Sequence, residues 1–403
     1  MSTLIEIKDL VTNFYTYEGV VKALNKISLT IDKGITFGLV GESGCGKSVA
    51  VRSIMRIVQS PGVIESGEIF FYDNDDSLKD EPVDLLKQSE DYMRNLRGDK
   101  ISMIFQEPNA ALNPILSIGD QVSESFLFHK KKQMADKILL GLNSKEDRSL
   151  PLIKFLTKPW LKYVYGQLKK DPDSFIPKFL SKIPVLKSWD RRLKLEAKRL
   201  SIEIIEKLAI PNADKIFDSY PHNLSGGMKQ RIVIAIALAC SPVLLIADES
   251  TSNLDVTIQA QILELLNSLK DNVISSILLI THDLGVVAET CDRVGVMYAG
   301  NICEVANVKD LFNNPKHPYT KALLNSVPKR NQADELKTIK GSVPDLVTPP
   351  TGCRFHPRCS LAMEKCKQAN PELKRIGPGL KNSGKDHLTA CFALYQTDQM
   401  DQA

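Results

Sequence analysis

Gly41-Glu42-Ser43-Gly44-Cys45-Gly46-Lys47-Ser48 lies between the continuous apolar run Ile35–Val40 and the stretch Val49–Val58, whose apolar residues recur at helical spacing. The run has the character of a buried strand, so the order is strand, glycine-rich loop, helix, the start of an α/β core. The octet fits G-x-x-x-x-G-K-[ST] in full. Glycines in this pattern let main-chain N–H groups turn inward around phosphates. Lys47 adds a point charge at the β/γ-phosphates, Ser48 can ligand Mg²⁺, and the helix directs its positive end at the anion. The alternative, a plain glycine turn, loses weight once a strand and a helix flank the loop.

Outward from the octet the same architecture repeats. Leu4–Val11 and Ala23–Ile31 alternate apolar and polar residues, as half-buried strands do, and Asp32-Lys33-Gly34 turns the chain into the buried run. Further along, Val243–Ala247 reads as a second buried strand ending in Asp248-Glu249, and Ile258–Leu269 as a helix. A third buried strand, Ile274–Ile280, ends at Thr281-His282-Asp283. Polar residues just beyond strand C-termini are where open α/β sheets bind ligands. Asp248 is expected to hold Mg²⁺ through water, and Glu249 to orient or deprotonate an attacking water. Two acids after a strand more often belong to a helix cap; downstream of a phosphate loop, the catalytic reading is preferred.

Leu224-Ser225-Gly226-Gly227-Met228-Lys229-Gln230-Arg231 is a Ser-Gly-Gly turn opening a helix, and so a second anion-binding end. One nucleotide does not need two such cradles. The economical explanation is that this one faces a nucleotide held by another subunit; an ordinary helix cap is the alternative.

With these residues in order, the sequence resembles the ATPases of ABC transporters over residues 1–310, apart from part of segment 130–199. The octet and LSGGMKQR match that family's phosphate loop and signature motif. The resemblance implies further roles. Gln106, in Phe105-Gln106-Glu107-Pro108, matches the Q-loop, which touches Mg²⁺ and the membrane subunits. Ser252-Asn253-Leu254-Asp255 matches the D-loop, with Asp255 its acid, and His282 matches the histidine that senses the γ-phosphate. Phe14 is the expected adenine-stacking ring, with Tyr15 and Tyr17 as rivals. Nucleotide contacts are expected from Gly41, Glu42, Ser43, Gly44, Cys45, Gly46, Lys47, Ser48 and Gln106, and Mg²⁺ contacts from Ser48, Gln106 and Asp248. Ser225, Gly226 and Gly227 are expected to act in trans, and Glu249, His282 and Lys47 to be catalytic. Ser250 and Asn253 depart from the family's usual Pro and Ala, but neither change removes a catalytic group. The chain has one copy of each motif, so ATP hydrolysis implies pairing with a second ATPase.

Composition sets outer limits. The 403 residues exceed the ~250–300 at which single cores stop growing, so two domains, or one with large additions, are expected. Hydrophobic content of 43% and charged content of 25% are globular averages, which argues against bulk disorder. The longest apolar run, Ile232–Ala247, is broken by Ser241-Pro242 and falls short of the ~20 residues of a membrane span. The first residues, MSTLIEIKDL, do not read as a signal peptide. Any part in transport therefore implies partner chains that cross the membrane. Net charge is +4, yet residues 130–199 alone hold 19 Lys and Arg against 7 Asp and Glu. That segment carries five prolines, looks helical in short pieces, and leaves three readings open: a solvated face, contact with anionic lipid, or contact with nucleic acid.

The C-terminal region narrows the family. Asn314-Pro315-Lys316-His317-Pro318-Tyr319-Thr320 and Gly352-Cys353-Arg354-Phe355-His356-Pro357-Arg358-Cys359 resemble the C-terminal extension of oligopeptide and dipeptide permease ATPases. The GKSV at 46–49, the SGGMKQR at 225–231 and the LDVTIQAQI at 254–262 look more like that family's D-type subunit than its F-type partner. The resemblance implies a peptide importer at the cytoplasmic face of the cell membrane, with a second, non-identical ATPase, two membrane-spanning subunits and an extracytoplasmic solute-binding protein. Uptake of nickel or another small solute is the nearest alternative; a soluble ABC ATPase acting on nucleic acid is one from another class, and no specific nucleic acid is expected. Cys353, Cys359, Cys366 and Cys391 offer four soft ligands on a loop-rich lobe, enough for a metal or a [4Fe–4S] cluster. The resemblance favours the cluster over zinc or free thiols. The expected organisation is an ABC-type α/β core at 1–310 with an antiparallel β subdomain and a helical subdomain near 107–222, followed by an extension at 311–403.

Overall fold

A computed structural model describes residues 2–72, 81–143, 151–171, 188–249, 256–270, 276–326, 339–375 and 387–395. Two compact units emerge. The first combines residues 1–97, 243–252 and 266–403; the second combines 98–242 and 253–265.

The first unit holds two sheets. β1 (Thr3–Thr16) and β2 (Gly19–Asp32) form a long hairpin, and β4 (Gly62–Phe71) pairs with the other edge of β1, with β5 (Val83–Asp84) beyond it. All these pairings are antiparallel, as expected for the β subdomain. The larger sheet contains β3 (Thr36–Val40), β7 (Leu244–Asp248), β8 (Ser276–Ile280), β9 (Arg293–Tyr298), β10 (Asn301–Asn307) and the short β11 (Lys374–Arg375) and β12 (Leu388–Thr389). Its order there runs β11-β12-β10-β9-β3-β8-β7. The centre, β9-β3-β8-β7, is parallel. Every residue of β3, β7 and β8 is buried, which is why these strands are mostly apolar rather than alternating.

Register carries the consequence for function. Leu39 and Asp248 both pair with Ile280, so three parallel strands end level. Their following residues, Gly41, Glu249 and Thr281-His282, therefore emerge along one edge of the sheet. The helix after the glycine loop, α1, covers Lys47–Ile54, shorter than its periodic stretch. Arg56, at φ +50°, ends the spiral, and its guanidinium donates to the Leu85 and Gln88 carbonyls at 3.2 and 2.6 Å.

The second unit opens with strand β6 (Ile101–Ile104) and is otherwise mainly helical. Helices at Ile118–His129, Lys131–Asn143, Pro151–Lys170 and Ser188–Lys207 are longer than the short pieces expected from the prolines. Pro159 sits inside the third of them. A mid-helix proline removes one main-chain hydrogen bond and costs ~3 kcal/mol. Here Leu161, Val164, Tyr165 and Leu168 form a fully buried stripe at i, i+3, i+4, i+7, and packing of that stripe outweighs the break. Of the basic segment, residues 144–150 and 172–187 lie outside the described residues. In the described part several cations meet acids of the same unit, Lys169 with Asp136 at 2.6 Å and Lys137 with Glu196 at 3.0 Å among them.

Beyond two short helices, Val308–Asn313 and Pro318–Asn325, the described part of the first unit is loop-rich. Its anchor is Glu304 on β10, which is fully buried. The carboxylate accepts main-chain N–H groups of Lys316 and His317 at 2.7 and 2.8 Å and lies 2.5 Å from His387 Nε2. These bonds outweigh burial and hold the carboxyl below the usual range.

Candidate functional site

The loop between β3 and α1 has a backbone that side chains would not tolerate. Gly41, Gly44 and Gly46 adopt φ of +155°, +75° and +104°. A Cβ on Gly41 would lie 2.0 Å from the Met297 carbonyl oxygen, and one on Gly46 would lie 2.8 Å from that of Ala23. Sequence places glycine where the loop runs against its own scaffold. Gly46 caps α1 without a side-chain hydrogen bond, and no acid occupies the first turn, so the helix end presents uncompensated positive character.

Lys47 is buried, and its ammonium donates to the main-chain oxygens of Gly41 at 2.8 Å and Glu42 at 3.1 Å. The side chain thus lies folded back across the loop. Cys45 is also buried, and desolvation pushes its thiol up, so it contributes packing rather than a thiolate. Ser48 donates its hydroxyl to Asp248 at 2.8 Å, joining the loop to the end of β7. Burial raises the Asp248 carboxyl above the usual aspartate value; the Ser48 hydrogen bond and the Arg52 and Lys47 charges act against that rise.

Glu249 follows at φ +46°, with its N–H donating to the Ile280 carbonyl at 3.0 Å. Its carboxylate lies 3.6 Å from His282 Nδ1. A glutamate in left-handed backbone conformation is uncommon, and such strain clusters at functional positions. Lys47, Ser48, Asp248, Glu249 and His282 therefore meet at the strand ends named by sequence. Ser250 and the D-loop positions, Asp255 included, lie outside the described residues.

Among the aromatic candidates, Phe14 is half-buried in β1 opposite Gly62, where an added Cβ would lie 2.6 Å from its ring. Tyr15 is half exposed and donates to Glu65 at 2.6 Å. Tyr17, at the tip of the β1–β2 hairpin, is 98% exposed and has the most open face.

Within the second unit, Gln106 is exposed just after β6. Ser225 caps the helix Gly226–Leu238, accepting from the Met228 N–H at 3.4 Å. Ser225 and Gly226 are exposed while Leu224 is buried, so the turn is anchored behind and open in front. Arg231 donates to the Leu208 carbonyl at 2.7 Å and to Gln261 at 3.2 Å, a structural role. The signature turn thus has an available N–H end of its own.

Comparison with known families places this geometry. The family described as "ABC transporter" matches residues 24–252, and that described as "Oligopeptide/dipeptide transporter, C-terminal region" matches residues 303–366. The oligopeptide transport ATP-binding protein AppD of Bacillus subtilis is 42% identical over the full length of both chains. The chain belongs to the ABC transporter ATP-binding family. DppD of Bacillus subtilis, a dipeptide transport ATP-binding protein, is 38% identical to this ABC ATPase across 97% of its length and 95% of DppD. Among solved structures, the dimeric MJ0796 bacterial ABC transporter cassette has a TM-score of 0.51 at 21% identity. It covers 76% of the present chain and 99% of its own, and so supports the fold.

Two further features of this ABC ATPase bear on the site. The four C-terminal cysteines are free thiols of one loop-rich lobe, with Cys366 and Cys391 buried and Cys353 and Cys359 partly so. Gly352, at φ +69°, lets the Cys353 N–H reach the Cys366 carbonyl at 2.8 Å. Burial pushes the Cys353 thiol up to about 11, and the neighbouring Cys366, Cys359 and Cys391 add to the rise. Among the described residues, however, no three His, Cys, Asp or Glu side chains are placed to hold a metal ion.

The other feature was not legible from spacing. Arg358 donates through both Nη atoms to Glu42 of the phosphate loop, at 2.8 and 3.2 Å, and the Tyr319 hydroxyl accepts the Glu42 N–H at 3.0 Å. Both residues stand in motifs that only family resemblance singled out. Finally, no described helix is long and apolar enough to cross a membrane.

Proposed function

We propose that the chain is the ATP-hydrolysing subunit of an importer for oligopeptides or dipeptides, held peripherally at the cytoplasmic face of the cell membrane. The supporting observation is one chain with a phosphate loop tied to Asp248 through Ser48 at 2.8 Å and a peptide-transporter type C-terminal region at 303–366. AppD and DppD, oligopeptide and dipeptide transport ATP-binding proteins, point the same way. Residues 1–310 form the ATPase domain, including a helical subdomain with the basic insertion near 107–222, and 311–403 form the extension.

In this reading the triphosphate lies against Gly41–Ser48, with Lys47 swinging from its own loop carbonyls to the β/γ-phosphates. Ser48, Asp248 and Gln106 would hold Mg²⁺, which when bound neutralises phosphate charge. A buried carboxyl whose ionisation is resisted by desolvation suits that role, because a cation relieves the penalty. Glu249 orients or deprotonates the attacking water, and His282 senses the γ-phosphate. Adenine stacks on a ring of the β1–β2 hairpin, where Tyr17 has a more open face than Phe14. Ser225, Gly226 and Gly227, with Asp255, act on a nucleotide held by a second, non-identical ATPase. Two membrane-spanning subunits and an extracytoplasmic solute-binding protein complete the assembly. Closure of the ATPase pair around ATP is transmitted through the Q-loop side.

Vesicles holding that assembly test the substrate. ATP inside is expected to drive accumulation of a labelled oligopeptide, with excess unlabelled peptide competing and nickel ion not. Uptake of nickel without uptake of any peptide would defeat the peptide assignment.

Cys353, Cys359, Cys366 and Cys391 are proposed as ligands of a [4Fe–4S] cluster. A cluster takes each thiolate at a separate iron, so it asks for thiols grouped in one lobe rather than converging on one ion. The 2.8 Å hydrogen bond from the Cys353 N–H to the Cys366 carbonyl, with Cys359 and Cys391 in the same lobe, supports such a grouping. Protein purified without oxygen is expected to contain about four iron and four sulfide per chain. Iron-free protein, or iron content unchanged by Cys366→Ser, would remove the cluster.

A further inference from the structure

Glu42 poses an electrostatic problem. It is an acid inside a loop built to hold a triphosphate, and its carboxylate is only 25% exposed. An unneutralised charge there opposes the ligand through a partly desolvated path, where Coulomb interactions are strong. Lys47 belongs to the same loop, and its ammonium lies 3.1 Å from the main-chain oxygen of Glu42.

The protein answers from a distant part of the chain. Arg358 presents its guanidinium as a fork, with Nη1 2.8 Å from Oε2 and Nη2 3.2 Å from Oε1 of Glu42. The fork is itself immobilised. Nε donates to the Lys340 carbonyl at 2.9 Å, Nη1 to the Tyr298 hydroxyl at 3.2 Å, and Nη2 to the Ile339 carbonyl at 3.4 Å. Only 6% of the arginine side chain is exposed. Tyr298 and Tyr319 pack together at 4.6 Å between ring centroids, and Tyr319 receives the Glu42 N–H. Main chain and side chain of one phosphate-loop residue are therefore both held by groups outside the loop.

We propose that Arg358 is a positioning residue for ATP binding: it neutralises Glu42 and holds its carboxylate away from Lys47 and the phosphates. The C-terminal extension thereby sets nucleotide affinity. Arg358 directly precedes Cys359, so the fold of the cysteine lobe fixes where the fork points. This inference rests on ATP being bound at the phosphate loop.

KM for ATP and kcat, measured on the full chain purified with its partner subunits, test it. Arg358→Met is expected to raise KM about tenfold with kcat within about twofold, as loss of binding shared by ground and transition states does. Arg358→Lys keeps the charge without the fork, and is expected to raise KM about threefold. Glu42→Gln added to Arg358→Met removes the stranded carboxylate, and is expected to return KM to within about threefold of the unsubstituted protein. A purely structural ion pair makes the opposite prediction, since the second substitution would then give no recovery. An unchanged KM in Arg358→Met, or a double variant no better than the single one, overturns the proposal. Should Arg358→Met fail to fold, Arg358→Lys is read alone, and an unchanged KM overturns it equally. Lys47→Ala separates this failure from a deeper one: if that variant still binds ATP normally, the phosphate-loop reading itself is wrong.

Discussion

Lys47→Ala is expected to weaken ATP binding by about 100-fold, the order of one lost charge-assisted contact set. The ammonium bridges the Gly41 and Glu42 carbonyls at 2.8 and 3.1 Å, in a side chain that is only 4% exposed. On ATP binding the ammonium is expected to swing from these carbonyls to the β/γ-phosphates, and alanine removes that attraction. Equilibrium titration of the full chain with ATP reads the loss directly. An unchanged melting temperature without nucleotide, beside a lost nucleotide-induced rise, separates a binding defect from misfolding.

Glu249→Gln is expected to leave ATP binding nearly intact and to lower kcat by about a thousandfold, within the range for removing a general base. Glutamine keeps the shape of the side chain and its reach towards His282, 3.6 Å away, but cannot accept a proton from water. The left-handed backbone at this position, φ +46°, is equally available to either residue. The variant is then expected to retain unhydrolysed ATP after removal of free nucleotide, where the unsubstituted protein retains ADP. A Glu249→Asp variant keeps the charge but shortens the reach, and should fall between the two.

Much of this site is legible from sequence because its signals are local. Ile35–Val40, Val243–Ala247 and Ile274–Ile280 are mostly apolar, with Thr36, Ser275 and Ser276 the polar exceptions, and each leads into the polar or glycine residues of the site. Gly41 and Gly46 announce backbone that a Cβ would obstruct. Ser225 heads its helix as a cap residue should. Where the reading fell short, the cause was distance or competition. Prolines suggested short helices in the second unit, yet the stripe Leu161, Val164, Tyr165 and Leu168 carries a helix straight past Pro159. The clamp of Arg358 on Glu42 spans 316 positions. No periodicity or motif encodes such a pairing; only the tertiary fold reveals it.

Phosphate release from ATP is the most direct test of the central claim that Asp248 and Glu249, at the end of β7, form a hydrolytic site with the phosphate loop. It should be measured on the assembled complex, with the partner ATPase stripped of its own catalytic carboxylate so that only this chain's site turns over. The unsubstituted chain is expected to release phosphate continuously in the presence of Mg²⁺, and Glu249→Gln to reduce the rate by about a thousandfold. A Glu249→Gln complex that releases phosphate within about twofold of the unsubstituted rate would contradict the account.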